Sequence, residues 1–210
     1  GHTLILLHGA TDTHRLWDPF LAVFTKHFRV ITPDSRGHGA TLNPEPLITY
    51  SMMADDLAGL ITSLQLRKPF VMGYSDGGQA LLDFGMRYPE LAGGLVIGGA
   101  WYRFSQSYQD AISAAGFVKP GRVDYRIYEN QSPLDWQERM RQAHQDPRQD
   151  YPRILLEQLA HLWWTPLDYQ LSDFRKISAP TLILMGEKDE MISSRQAVEL
   201  ADLIPGAELA

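Results

Sequence analysis

The hexapeptide Gly73-Tyr74-Ser75-Asp76-Gly77-Gly78 carries the residue types for nucleophilic chemistry. A serine hydroxyl is a weak nucleophile until a neighbouring base takes its proton, so its setting matters more than its presence. An apolar run, Pro69–Gly73, precedes this serine, and an amphipathic stretch, Gly78–Tyr88, follows it. A sharp strand-to-helix turn at that point thrusts the side chain out above the sheet edge. Such a turn is crowded, and Gly73 and Gly77 are the small residues it needs on either side of Ser75. The helix start behind the serine also offers free N–H groups, which favour developing negative charge. A chance Gly-Ser-Gly turn would lack both flanks.

Acyl transfer also needs two backbone N–H groups aimed at an oxyanion. His8-Gly9-Ala10 ends another apolar run, Leu4–Leu7, and its glycine lets the backbone turn inward. One donor is assigned to the N–H of Ala10 and the other to the N–H of Asp76. His8 reads as a buried histidine that braces this loop through hydrogen bonds, not as a proton carrier. A serine–histidine pair requires in addition a carboxylate to orient the imidazole. Gly186-Glu187-Lys188-Asp189-Glu190, after the apolar run Thr181–Met185, offers three. Composition alone does not choose among Glu187, Asp189 and Glu190.

The elements that must position these residues alternate along the chain. Short apolar runs at Leu4–Leu7, Arg29–Thr32, Pro69–Gly73, Leu95–Ile97 and Thr181–Met185 predict buried strands. Helical spacing over Leu16–Phe28, Ser51–Leu66, Gly78–Tyr88 and Ser193–Leu203 predicts helices between them, the second capped by Ser51. Strand alternating with helix means an α/β fold, a parallel sheet with helices on both faces. The alternation breaks between about Ala100 and Lys176, where the sequence is aromatic, helical in pattern and without a buried strand. That stretch reads as a lid over one end of the sheet, favoured over a longer helical crossover because its many large aromatics need a surface to cover. The chain then divides into a first core part (1–99), a helical lid (100–176) and a second core part (177–210).

The 210 residues are 44% hydrophobic and 21% charged, an ordinary globular balance. A net charge of −6 argues against a surface for nucleic-acid phosphates. The absence of cysteine excludes a thiolate nucleophile, disulfides and thiolate zinc sites, and fits a cytoplasmic setting. No apolar run approaches the ~20 residues of a membrane-spanning helix. The expected partner is therefore a small molecule, with no nucleic acid, membrane, metal or cofactor.

Together these residues resemble the α/β-hydrolase superfamily along essentially the whole chain. Asp34-Ser35-Arg36-Gly37-His38-Gly39 looks like the family's Asp-x-Arg-Gly-x-Gly loop. Ala179-Pro180-Thr181-Leu182 with Gly186–Asp189 looks like its seventh strand and acid turn, and this resemblance selects Asp189 as the orienting carboxylate. Ser75-Asp76-Gly77-Gly78 is similar to a bacterial subgroup and to the biphenyl-hydrolase-like and valacyclovir hydrolases. In the latter an aspartate beside the nucleophile recognises a substrate α-amino group. The resemblance makes Asp76 a candidate selectivity residue, in competition with a helix-capping role. It also implies the sheet order 4-3-5-6-7 by the family's strand count, with the lid after the sixth strand. Open parallel sheets bind ligands where the order reverses, which is where Ala10 and Ser75 would lie.

One family feature is missing. The catalytic histidine follows the family's eighth strand, and none of His2, His8, His14, His27, His38, His144 and His161 holds that position. Gly206–Ala210 looks like the start of that strand, and residue 1 falls just before the third. The expectation is a longer natural protein whose base lies beyond Ala210. The alternative is a truncated pseudo-enzyme, disfavoured because loss of the eighth strand would leave Thr181–Met185 as an unprotected edge. For an internal base, His38 and His161 come first. The expected activity is cofactor-free hydrolysis of a small carboxylic ester or lactone, with Asp76, Trp101, Tyr102 and Trp163 binding a partly apolar substrate. Carbon–carbon bond hydrolysis, cofactor-free perhydrolysis and non-catalytic ligand binding are the alternatives.

Overall fold

The computed structural model describes residues 1–210. The apolar runs form strands β1 (His2–Leu7), β2 (Phe28–Ile31), β3 (Phe70–Tyr74) and β4 (Gly94–Gly98) in the first half of the chain. A short pair, β5 (Phe117–Lys119) and β6 (Arg122–Val123), precedes β7 (Thr181–Leu184) and β8 (Glu208–Leu209). The helices are α1 (Asp18–Phe24), α2 (Tyr50–Ser63), α3 (Asp76–Arg87), α4 (Gln106–Ala114), α5 (Tyr125–Gln131), α6 (Trp136–Ala143), α7 (Tyr151–Trp164) and α8 (Ser194–Leu203).

Six strands build one wholly parallel sheet in the order β2-β1-β3-β4-β7-β8. Its first five strands keep the order expected from the resemblance. Register pairs Leu7 with Gly73 and Gly73 with Ile97, so the carboxyl ends of β1 and β3 lie side by side. Ile5, Leu7, Val71, Leu95, Ile97 and Ile183 face α2, α3 and α8 in a core of 22 buried residues. The opposite face, around Leu4 and Leu6, meets only the Trp17 turn and α1. There Leu16, Leu21 and Phe24 pack against that small cluster while Phe20 and Val23 remain exposed, so the apolar spacing of that helix is only partly buried.

Three expectations are corrected. Helix α2 starts one residue earlier than expected and is capped by Thr49, whose hydroxyl accepts from Met52 N–H at 3.1 Å. Ser51 instead donates to Asp83 of α3 at 2.9 Å, because it already lies inside the first turn. The 100–176 stretch is not wholly helical. Pro120-Gly121 turns the chain between antiparallel β5 and β6, which bury Phe117 and Val123. Finally, β7 is not a bare edge. Glu208 and Leu209 pair beside Leu182 and Ile183, and Ala210 exchanges backbone hydrogen bonds with Ile183 and Met185.

The stretch between β4 and β7 supplies 13 of the 18 residues of a second buried cluster, centred on Leu155, Leu156, Leu159 and Leu162 of α7, and Ile48, Tyr50, Met53, Ala80 and Ile192 supply the rest. It is tied to the sheet's loops. The Tyr151 hydroxyl donates to Gly37 O, and Gln145 N–H donates to Gly39 O at 2.7 Å.

Candidate active site

Ser75 stands at the junction of β3 and α3 with φ 54° and ψ −119°, a left-handed conformation that side chains other than glycine rarely adopt. Packing around it holds the strain. A Cβ on Gly73 would come within 2.3 Å of Gly77 O, and one on Gly77 within 2.6 Å of Leu7 O. The turn closes only with hydrogen there, which is the crowding the sequence motif implied.

Ser75 opens onto a cavity of about 510 Å³ that Ala10, Asp76, Trp101, Trp163 and Asp189 also line. Five of the six expected site residues are thus brought together with the serine's own surroundings. The sixth, Tyr102, is not. Its hydroxyl turns away to Glu199 of α8 and its ring packs on Phe174. Neighbouring Trp101 takes the cavity side, buried against Tyr108 with ring centres 5.0 Å apart. Gln79 fixes it there by accepting the Trp101 N–H at 3.1 Å.

Asp189 is singled out by its backbone. Its Oδ1 accepts from the N–H groups of Met191 (2.9 Å) and Ile192 (2.8 Å), which leaves Oδ2 free at the cavity rim. Neither Glu187 nor Glu190 lines that cavity.

The Asp76 side chain does not cap α3. It is buried, and its Oδ1 accepts from the Tyr50 hydroxyl at 2.9 Å and from Trp163 Nε1–H at 3.0 Å. Burial pushes its carboxyl up to about 6, against the pull of those two hydrogen bonds toward the anion. The cavity lining holds three carboxylates, Asp12, Asp76 and Asp189, and no basic side chain. Sequence reasoning missed Tyr50, Tyr108, Gln79 and Asp12. Tyr50 and Tyr108 reach the site from elements distant in sequence, whereas Asp12 lies two residues past Ala10 and Gln79 one helical turn past Ser75, a proximity that could have marked them.

No histidine lines the cavity. His38 is buried under the loop and His161 sits on α7 with its carbonyl bonded to Thr165, so neither faces Ser75 as an internal base. His8 braces its loop as expected, through Gly9 O at 2.7 Å and Ser35 N–H at 3.0 Å. Beside the cavity, sharing Tyr74, Gly99 and Asp189 with it, lies an open apolar hollow of about 990 Å³ walled by Trp17, Phe20, Met72 and Leu184.

The profile of the alpha/beta hydrolase family matches residues 4–210. The chain belongs to that family. Among curated proteins it is 29% identical over 219 residues to a putative carbamate hydrolase RutD of Pantoea ananatis, covering 99% of this chain and 78% of that one. It is 28% identical over 222 residues to the 2-hydroxy-6-oxo-2,4-heptadienoate hydrolase of Pseudomonas putida, covering all of this chain and 80% of that one. Among solved structures it superposes on a thermophilic esterase of Thermogutta terrifontis with a TM-score of 0.73 and 25% identity, covering 100% and 80% of the two chains. As an alpha/beta hydrolase it shares its fold and a hydrolytic chemistry with these relatives. No helix is long and apolar enough to cross a membrane.

Proposed function

We propose that this hydrolase cleaves a small carboxylic ester or lactone through an acyl-enzyme on Ser75. The observation that carries the reading is a strained serine at a helix start, opening on a cavity with a backbone-anchored carboxylate at its rim. Ser75 Oγ adds to the substrate carbonyl while an imidazole takes its proton. The N–H groups of Ala10 and Asp76 hold the oxyanion. The imidazolium then protonates the departing alkoxide, and water repeats the sequence on the acyl-enzyme. Asp189 Oδ2 orients the imidazole. The apolar hollow that shares Asp189 with the cavity adjoins that carboxylate.

Asp76, Trp101 and Trp163 form the substrate wall, with residues 100–176 as the lid. An ionised Asp76 favours substrates that carry an amino group near the scissile carbonyl and disfavours anionic ones. The names of the carbamate-hydrolase relatives support attack at an acyl carbon. The name of the heptadienoate hydrolase keeps carbon–carbon bond hydrolysis by the same serine as the second reading.

The test is covalent labelling of the full natural protein. A fluorophosphonate should modify Ser75 and no other serine, and Ser75→Ala should abolish both labelling and ester turnover. Ester hydrolysis that persists without labelling of Ser75 refutes the assignment.

A further inference from the structure

The three carboxylates of the cavity are not equally placed. Asp189 accepts from the N–H groups of Met191 and Ile192, and the proposed mechanism gives it an imidazolium as counter-charge. Asp76 accepts from Tyr50 and Trp163. Asp12 lines the same cavity two residues past Ala10, and its carboxylate has neither a hydrogen bond nor an ion pair within the protein. No lysine, arginine or histidine lines the cavity to balance it. Half-buried, it is pushed up from the usual carboxylate range by burial, with only the charge of a protonated His8 pulling the other way.

The backbone gives Asp12 no other task. The short helical turn His14–Trp17 that follows is capped by Thr13, whose hydroxyl accepts from Arg15 N–H at 3.3 Å. Just before Asp12, Thr11 is held at φ 58°, a left-handed conformation that is costly for a β-branched residue. An unpaired carboxylate at this place also opposes the proposed chemistry. Ala10 offers its N–H to the oxyanion, and a negative charge on the same loop repels that oxyanion, the more so where water is excluded. A cationic group on the substrate reverses the sign. It neutralises Asp12 on binding, and its own charge then favours the growing oxyanion. The aromatic lining suits such a group, because the ring faces of residues like Trp101, Tyr108 and Trp163 attract cations.

We propose that Asp12 is a specificity-determining residue of this site, the anionic seat for an ammonium group that the substrate carries away from its reacting carbonyl. The inference rests on the proposed acyl-transfer function and is separate from the α-amino contact assigned to Asp76. It makes the substrate a cationic ester or lactone, with the charge on either the acyl chain or the alcohol.

The test uses the full natural protein and two matched pairs of esters. In each pair one member carries a trimethylammonium group and the other a tert-butyl group of the same shape, on the acyl chain in one pair and on the alcohol in the other. The wild type should favour the cationic member of at least one pair by about 5–10-fold in kcat/KM, the range for a half-exposed charge pair. Added salt should shrink that preference. The pair that shows it tells which side of the substrate carries the cation. Asp12→Asn should lose the preference and its salt dependence, while its turnover of the neutral members rises roughly 2–5-fold because the charge opposing the oxyanion is gone. Asp12→Glu keeps the charge and should keep the preference. A wild type that favours neither cationic member overturns the inference without any variant. A preference that survives Asp12→Asn overturns it too, as does neutral-ester turnover that falls in that variant at an unchanged melting temperature. Acylation of Ser75 is followed in the wild type at the same time. Turnover without acylation overturns the proposed function and this inference with it, whereas acylation with no cationic preference overturns this inference alone.

Discussion

Replacing Asp76 by Asn should stabilise this protein at alkaline pH, although it removes a hydrogen-bonded carboxylate beside the nucleophile. The carboxyl titrates at about 6 in the folded chain, against 3.8 when free of it, and burial is the leading cause. The folded state therefore holds the proton more tightly than the unfolded state. The stability linked to that proton is fully present below about pH 3.8 and is lost as pH rises through about 6. The difference of about 2 pKa units, at 1.36 kcal/mol each, sets the cost of the folded anion near 3 kcal/mol above pH 7. Asn cannot ionise, yet its Oδ1 can still accept from Tyr50 and Trp163. Urea unfolding with linear extrapolation should show the variant more stable than wild type by about 1–3 kcal/mol at pH 8, with the gain gone by pH 4. In turnover the same variant should lose the preference for α-amino esters over their des-amino analogues, roughly 10-fold or ~1.4 kcal/mol. A stability difference that is the same at both pH values, or a loss at pH 8, would refute the account of a buried anion held at a cost.

Two other substitutions probe the frame of the site. Asp189→Asn should fold normally but cut turnover by about 10⁴, the precedent for a misheld imidazole, while Glu187→Gln and Glu190→Gln stay close to wild type; similar losses for all three in a steady-state assay would deny Asp189 its role. Gly77→Ala places a methyl 2.6 Å from a backbone oxygen that cannot move aside, so thermal melting should show a loss above about 2 kcal/mol, and an unchanged melting temperature would contradict the packing at the turn.

What was legible in the sequence was local. The strand–Gly–x–Ser–x–Gly–helix context fits within about twenty residues, and it announced both the turn and its crowding. The order of the sheet followed from the family resemblance, because parallel pairing with helical crossovers admits few arrangements. What failed depended on direction or distance. Trp101 and Tyr102 are adjacent, and only the backbone course decides which ring enters the cavity and which meets Glu199. Asp76 finds its partners 26 and 87 residues away, so no neighbouring residue shows that its side chain turns inward instead of capping α3. Thr49 and Ser51 are both competent caps, and a shift of two residues decided between them. Pro120-Gly121 is a turn pair that the reading of the sequence passed over, and a two-residue strand gives no alternation to read.

The crowding at Gly73 and Gly77 also bears on how such a protein changes over generations. Backbone atoms stand closest to both positions, so variation there is eliminated by collapse of the turn, whatever the substrate. The cavity wall comes from elsewhere: Tyr50 from α2, Trp101 and Tyr108 from just beyond β4, Trp163 from α7. The nucleophile and the shape of the pocket are therefore inherited as nearly independent traits. A lineage, or a library confined to the wall, can drift through new substrates while the reacting serine stays in place. Asp76 belongs to both traits, with its N–H in the turn and its carboxylate in the wall, and it is where a change of diet would be felt in the chemistry.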